Sequence, residues 1–261
     1  MRARNQHLKR LLSLLLTVAM VLTMIPAAFA ADTTTSSGFV IGPYLLAPKT
    51  TSMVAVWETS GSEPTTIRFG TDADTLGEAV TVERDPEAPD YGGAQTNIFR
   101  YKFSDLTPGT RYYYEVALAD GEVSRGTFRT LEENPTEIRY ISITDTHKFD
   151  TKSTFDAAVA AYDPAFIIHG GDMVEGTGTQ KEQYAFWFNS GEFIHNYPVV
   201  YACGNHDFSD YFDMYVIDTQ TEEYGSVVEG NISFDYGDVH FDLMDSNPWA
   251  LFQMNAETSG G

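Results

Sequence analysis

Three short polar stretches decide the fold of this chain: Asp145-Thr146-His147, Gly171-Asp172 and Gly204-Asn205-His206-Asp207. Each follows an apolar run that is typical of a buried strand, at residues 140–143, 165–168 and 198–201. Ligand sites of open α/β sheets lie outside the carboxyl ends of the strands, so these stretches are expected to converge. Carboxylate and amide oxygens mixed with imidazole suit Zn, Fe or Mn. The pattern predicts metal-assisted hydrolysis in which two ions clamp a phosphoryl centre.

The segments between these strands have the length of helical crossovers. Asp145 and Asp172 are 27 positions apart, and Asp172 and Asn205 are 33 apart. Apolar residues at helical spacing predict one helix that includes 155–162 and a second over 180–190. Alternating strands and helices predict a parallel sheet with right-handed crossovers. Two further strands, at 232–236 and 239–244, are expected to form a hairpin, and the loop around Asp210 and Asp213 is interpreted as solvated.

The first two stretches carry three candidate ligands. Asp145 and His147 lie two positions apart just past a strand end, where both could reach one ion. Asp172 follows two glycines, which let backbone and ion approach closely. Its carboxylate could bridge two ions about 3.5–4 Å apart.

The third stretch is predicted to supply a ligand for the second ion and the general acid of the reaction. Asn205 offers a neutral oxygen to that ion, and His206 is better placed as a general acid than as a ligand of the same ion. Asp207 could hold the imidazole, as carboxylates behind metal sites do. Taken singly, each of these residues is better explained as part of an ordinary turn. Only their order and their shared place at strand ends favour a site.

Residues 39–131 have a different pattern, with short strands separated by turn signals and no helix pattern. Such spacing predicts a β-sandwich. The run Leu106-Thr107-Pro108-Gly109-Thr110-Arg111-Tyr112-Tyr113-Tyr114 resembles the L-x-P-x-x-x-Y-x-Y signature of fibronectin type III domains. In that motif a tyrosine hydroxyl returns to the backbone a few residues upstream, and Tyr112 is the candidate. Trp57 is the expected core tryptophan.

The N-terminus indicates export. Residues 1–30 combine a basic start, an apolar run from Leu11 to Ile25 and the cleavage pattern Ala28-Phe29-Ala30, which predicts a signal peptide. Residues 31–38 are interpreted as a flexible leader. Without the four basic residues of the signal, 12 basic residues face 37 acidic ones, a formal net charge of −25. That balance excludes a tightly held nucleic acid. No later stretch is long and apolar enough to be a transmembrane segment.

Asp-x-His, Gly-Asp and Gly-Asn-His-Asp in this order are similar to the opening half of the calcineurin-like metallophosphoesterases. The fibronectin-like domain before them resembles the layout of purple acid phosphatases. The resemblance implies a two-domain fold, with an all-β sandwich over 39–131 followed by an α/β metallophosphoesterase sandwich over 136–261. It implies two metal ions, held by Asp145 and His147, by Asp172 as the bridge, and by Asn205. It further implies that a metal-bound hydroxide attacks a small phosphorylated substrate while His206 assists.

Two departures from the family pattern are visible. Purple acid phosphatases carry Asp-x-Gly and Gly-Asp-x-x-Tyr, whereas this chain has His147 and Glu175 at those positions. His147 can fill the place of the tyrosine, so an iron–tyrosinate centre is not expected. The family's later V-x-x-H and G-H-x-H motifs are missing from this sequence, which indicates a truncated, incomplete phosphoesterase domain. The alternative is a non-catalytic surface or adhesion protein on a degenerate scaffold.

Overall fold

The computed structural model describes residues 38–86, 90–91, 94–147, 149–175, 180–207, 210–226 and 230–246. The predicted signal peptide and most of the leader lie outside these residues. The N-terminal part consists of strands, which are β1 Phe39–Leu46, β2 Met53–Thr59, β3 Thr65–Gly70, β4 Val80–Val82, β5 Asp90–Tyr91, β6 Ala94–Gln95, β7 Asn97–Phe103, β8 Arg111–Ala117 and β9 Val123–Arg129.

Two antiparallel sheets, β1-β2-β7 and β4-β3-β8-β9, face each other across an aromatic core. Trp57 is fully buried there and stacks on Phe99. The tyrosine corner forms as predicted, because the Thr107 backbone N–H donates to the Tyr112 hydroxyl at 2.9 Å. The predicted all-β sandwich is confirmed.

The second part alternates strands and helices. Its elements are β10 Tyr140–Ile143, α1 Lys152–Tyr162, β11 Phe166–His169, α2 Gln180–Phe188, α3 Glu192–Asn196, β12 Val199–Tyr201, α4 Asp210–Phe212, a π-helical turn Asp213–Ile217, α5 Asp218–Tyr224, β13 Ile232–Tyr236 and β14 Val239–Leu243. Strands β10, β11 and β12 are parallel and adjacent in that order. The hairpin β13-β14 packs on one face of this sheet, where Phe234 and Phe241 meet Phe166.

Two expectations need correction. Residues 210–224 are helical rather than a solvated loop, because a run of apolar side chains at 214–217 is buried against the sandwich. Tyr162 does not join the core face of α1 and is 62% exposed. His195, near the end of α3, is half-buried, and its Nδ1 contacts the backbone oxygen of Pro43.

The two parts share one continuous core. Every residue of β2 is buried, because one face packs inside the sandwich and the other lies under the helices of the second part. Tyr44 stacks on Phe188 with ring centroids 4.0 Å apart. Within the described residues there is no helix with the length and apolar character needed to cross a membrane.

Candidate metal centre

The carboxyl ends of β10 and β11 bring the first three candidate ligands together. One ligand atom each from Asp145, His147 and Asp172 lies within 4.8 Å of the others, as in a metal-binding cluster. The Asp145 N–H donates to the Gly171 oxygen and the His147 N–H to the Asp172 oxygen, both at 3.0 Å. These backbone bonds hold the two loops side by side. His147 Nε2 is 4.0 Å from Asp145 Oδ1.

Two glycines allow the loop after β12 to reach the same point. A Cβ on Gly204 would lie 2.1 Å from Asp172 Oδ1, and one on Gly171 would lie 2.5 Å from the Gly204 nitrogen. Side chains at either position are therefore excluded by backbone contact. The approach lets the His206 N–H donate to Asp172 Oδ1 at 2.9 Å. The glycines that precede Asp172 and Asn205 are thus packing requirements of the site.

The three clustered residues all have left-handed backbone conformations. φ is +55° at Asp145, +45° at His147 and +57° at Asp172. Such values are uncommon outside glycine and cost free energy of folding. Among the described residues, three of the six non-glycine residues with a positive φ thus lie in this cluster, and such strain persists where the surroundings enforce a geometry.

Both imidazoles are oriented by neighbouring backbone carbonyls. His147 Nδ1 contacts the Val174 oxygen at 3.0 Å, and His206 Nδ1 contacts the Glu175 oxygen. A neutral imidazole that donates Nδ1–H to a carbonyl keeps the Nε2 lone pair for a metal or a proton. The rings meet edge to face with centroids 5.3 Å apart. Sequence reasoning missed these carbonyls, because backbone groups leave no residue signature.

Asp207 differs from its predicted role. It is fully buried, and its carboxylate accepts the backbone N–H groups of Asp172 at 2.6 Å, Met173 at 2.8 Å and Gly204 at 3.1 Å. Burial raises the pKa of Asp207 to about 6, while the backbone donors lower it. Asp207 therefore ties the second loop to the third, and the expected contact with the His206 imidazole is replaced by the contact to Glu175.

His169 is a second positioning residue, inside the sheet. Its Nδ1 accepts the Gly171 N–H at 3.2 Å and its Nε2 contacts the Thr146 hydroxyl at 2.9 Å. Burial lowers the pKa of His169 to about 3, so the ring stays neutral. One side chain thus fixes the loops that carry Asp145 and Asp172. In the sequence, the only sign of this role of His169 is its position one residue before Gly170.

The remaining predicted residues are less constrained. Asn205 is exposed and lies between two residues whose backbone contacts Asp172. Cys203 is half-buried, and burial raises the pKa of its thiol, as expected for a core residue rather than a nucleophile. His240 lies on the exposed hairpin, between Asp235 and Asp242.

The donor set fits a metal centre. It combines two carboxylates with an imidazole whose Nε2 is free for coordination, and hard oxygen with nitrogen ligands suits Zn, Fe or Mn. A second imidazole, His206, lies at the edge of the cluster. The geometry can hold a cation and present a proton-carrying group beside it.

Comparisons with known proteins relate both parts of the chain to known families. Residues 138–258 match the profile of calcineurin-like phosphoesterases, and residues 44–151 match that of the purple acid phosphatase N-terminal domain. The family matched by the second part is one of phosphoesterases, a class of hydrolase. The two matches confirm the resemblance drawn from the motifs, with a part similar to the purple acid phosphatase N-terminal domain in front of a part similar to calcineurin-like phosphoesterases.

Solved structures show the same fold. A structure described as PhoD aligns with a TM-score of 0.57 and 13% identity, covering 82% of this chain and 53% of that one. The purple acid phosphatase PPD1 from yellow lupin (Lupinus luteus) aligns with a TM-score of 0.54 and 16% identity, covering 84% and 48%. The chain thus spans about half the length of these proteins. No curated protein sequence matches it.

Proposed function

We propose that this protein is an exported, metal-dependent phosphoesterase that hydrolyses phosphate monoesters or diesters at the centre formed by Asp145, His147, Asp172 and Asn205. The observation that supports this most is the cluster of Asp145, His147 and Asp172, with all three backbones in the left-handed region. The proposed substrate is a small phosphorylated molecule, which a chain with 37 acidic and 16 basic residues can bind only where metal cations reverse the local field.

The proposed roles follow from the contacts. Asp145, His147 and Asp172 would hold one ion, and Asp172 and Asn205 would hold a second. When bound, the ions polarise the phosphoryl oxygens and activate water near neutral pH. His206 directs Nε2 outward because Nδ1 is held by the Glu175 carbonyl, so it can give a proton to the leaving oxygen. Asp207 and His169 keep the loops in register.

The decisive experiment compares Asp172→Asn with Asp105→Asn. Asp105 is an exposed residue of the sandwich whose φ of +56° matches that of Asp172, so the control makes the same chemical change on the same backbone conformation. Metal content after dialysis against Zn²⁺, Mn²⁺ or Fe²⁺ is measured with turnover of p-nitrophenyl phosphate and bis-p-nitrophenyl phosphate. Metal bound by wild type and Asp105→Asn, but lost in Asp172→Asn, supports the centre.

The two substrates separate monoesterase from diesterase activity. Turnover that falls at least about a hundredfold in Asp172→Asn supports catalysis there, because a lost metal removes several kcal/mol of transition-state stabilisation. Equal metal content in the two variants refutes the centre. Metal binding without turnover of either ester supports the non-catalytic alternative.

Export is proposed from residues 1–30 alone. Expression of the full chain with N-terminal sequencing of the exported product tests it. A mature N-terminus at Ala31 supports cleavage after Ala30, whereas product that stays inside the cell with Met1 intact refutes it.

A further inference from the structure

A cavity of about 60 Å³ lies at the end of the parallel sheet opposite to the metal centre. Arg139, Ala165 and Pro198, which line it, immediately precede β10, β11 and β12, whereas the candidate ligands follow those strands. A four-residue strand separates the two ends by about 13 Å. The cavity is therefore distinct from the site described above. The sandwich closes it with Arg111 and Arg129.

Arg111 and Arg129 are directly opposite each other in the antiparallel pairing of β8 and β9. Like charges in opposite positions destabilise a sheet. Within the described part of the chain, neither guanidinium forms an ion pair. The Arg111 guanidinium donates one hydrogen bond, to the Thr127 hydroxyl at 3.4 Å, and the Arg129 guanidinium donates none to the described residues. In a chain with 37 acidic and 16 basic residues, two arginines left without a carboxylate call for another counter-ion.

Two other arginines on the same face of the sheet are paired with a carboxylate. Arg68 and Arg125 both pair with Glu115, which lies between them on β8. Four positions further along β9, at Arg129, the residue opposite is Arg111 instead of a glutamate. The same face therefore has one cluster in which two arginines share a carboxylate and one pair of arginines that has no carboxylate partner among the described residues.

Three carboxylates also line the cavity, and two have other partners. Glu137 lies 3.6 Å from Arg139, and Asp163 accepts the Tyr197 hydroxyl at 3.3 Å. Glu132 is exposed and forms no ion pair among the described residues. Burial raises the pKa of Tyr197 and Asp163 raises it further, whereas Arg111 and Arg129 lower it. The two arginines thus act on the cavity as positive charges.

We propose that Arg111 and Arg129, with Arg139 beside them, bind a phosphate group in this cavity, as orthophosphate or as the head of a phosphate monoester. A guanidinium presents a planar fork of donors that matches tetrahedral phosphate oxygens, and a dianion neutralises the pair that the sheet forces together. The volume corresponds to about four water-sized positions, enough for one tetrahedral oxyanion. The proposal is independent of the phosphoesterase activity.

The test uses the double variant Arg111→Gln/Arg129→Gln, with Arg125→Gln as the matched control on the same strand face. Proteins are stripped of divalent ions with a chelator that is then removed, so that phosphate cannot act through the metal centre. Isothermal titration with orthophosphate and with glycerol 3-phosphate gives the affinities. Wild type and Arg125→Gln are expected to bind, and the double variant at least about tenfold more weakly, because charge-assisted hydrogen bonds are lost.

Thermal unfolding at matched ionic strength gives a second readout. In chloride, the double variant is expected to unfold at a higher temperature than wild type because the like-charge pair is gone. In phosphate, only wild type and Arg125→Gln should unfold at a higher temperature than in chloride, because a ligand that binds the folded state stabilises it. If only orthophosphate or only glycerol 3-phosphate binds, the result shows whether the site takes free phosphate or a phosphate monoester, and it still supports the site. Absence of binding by wild type, or equal binding by the double variant, overturns the proposal and indicates that Glu132 neutralises the arginines in solution.

Discussion

At the scale of single residues, the candidate ligands adopt backbone conformations that lower the stability of the fold. Asp145 is mostly exposed, so its left-handed backbone is not compensated by side-chain packing. Its carboxylate accepts a hydrogen bond from the Thr144 hydroxyl, the preceding residue, at 2.8 Å. This combination of strain and exposure is expected where a backbone is set for ligand binding rather than for folding.

Replacing Asp145 separates the effect of backbone strain on stability from the effect of the carboxylate on metal binding. Asp145→Gly should be about 1 kcal/mol more stable to unfolding than Asp145→Ala, because glycine adopts a positive φ without the Cβ penalty. Both variants should lose metal affinity. Urea denaturation and metal titration measure the two effects. The interpretation of strain is wrong if the alanine variant is as stable as the glycine variant.

His169 should make the fold sensitive to acid. Burial lowers its folded pKa to about 3, with a further lowering from His147 and an opposing effect of Asp145. The unfolded ring takes up a proton near pH 6.5, so the stability that the neutral ring contributes is present above that pH and is lost as the pH falls towards 3. Between pH 6.5 and 5 the loss is about 2 kcal/mol.

The variant His169→Gln isolates that contribution. It should be less stable than wild type at pH 7.5, because the contacts with Thr146 and Gly171 are weakened. The difference should shrink at pH 5, since glutamine has no proton to exclude. Urea denaturation at both pH values provides the comparison. A difference that stays constant with pH would show that this ring does not titrate between the two states.

At the scale of elements, the site depends on loops that touch through glycine. Gly204→Ala places a Cβ against the backbone and carboxylate of Asp172, at 2.2 and 2.1 Å. The third loop must then shift, so we expect a loss of stability of about 1–3 kcal/mol and weaker metal binding. Gly61→Ala is the matched control, because nothing lies within 4 Å of its Cβ position. Unfolding and metal titration of both variants decide whether the contact is required.

The sequence predicted elements better than contacts. Parallel strands β10, β11 and β12 were predictable because a buried strand leaves a continuous apolar run that ends at polar residues. The helical run at 210–224 was not, since its aromatic and acidic residues resemble a loop until the outer face of the sandwich is known to cover it. Asp207 was assigned to the wrong partner because four backbone N–H groups, invisible in a sequence, compete for its carboxylate.

At the scale of the whole molecule, the domains are joined by a buried polar contact as well as by the apolar core. Glu58, on β2, accepts a hydrogen bond from the Tyr215 hydroxyl at 2.7 Å and lies 2.7 Å from Lys181 Nζ. Its exposed fraction is 1%. A carboxylate buried this deeply is stabilising only while its partners are in place. The contact therefore ties the sandwich to α2 and to the π-helical turn.

Tyr215→Phe tests whether this contact couples the domains. Removing the hydroxyl leaves Glu58 with one partner fewer, and we expect a cost of about 1–3 kcal/mol. Because β2 is buried by both parts, the variant should still unfold in a single transition, at a lower denaturant concentration. Tyr162→Phe, at a ring that is 62% exposed, is the control and should change little. Calorimetry and denaturation followed by tryptophan fluorescence give the number of transitions. Two separated transitions in wild type would mean that the shared core does not make the domains one cooperative unit.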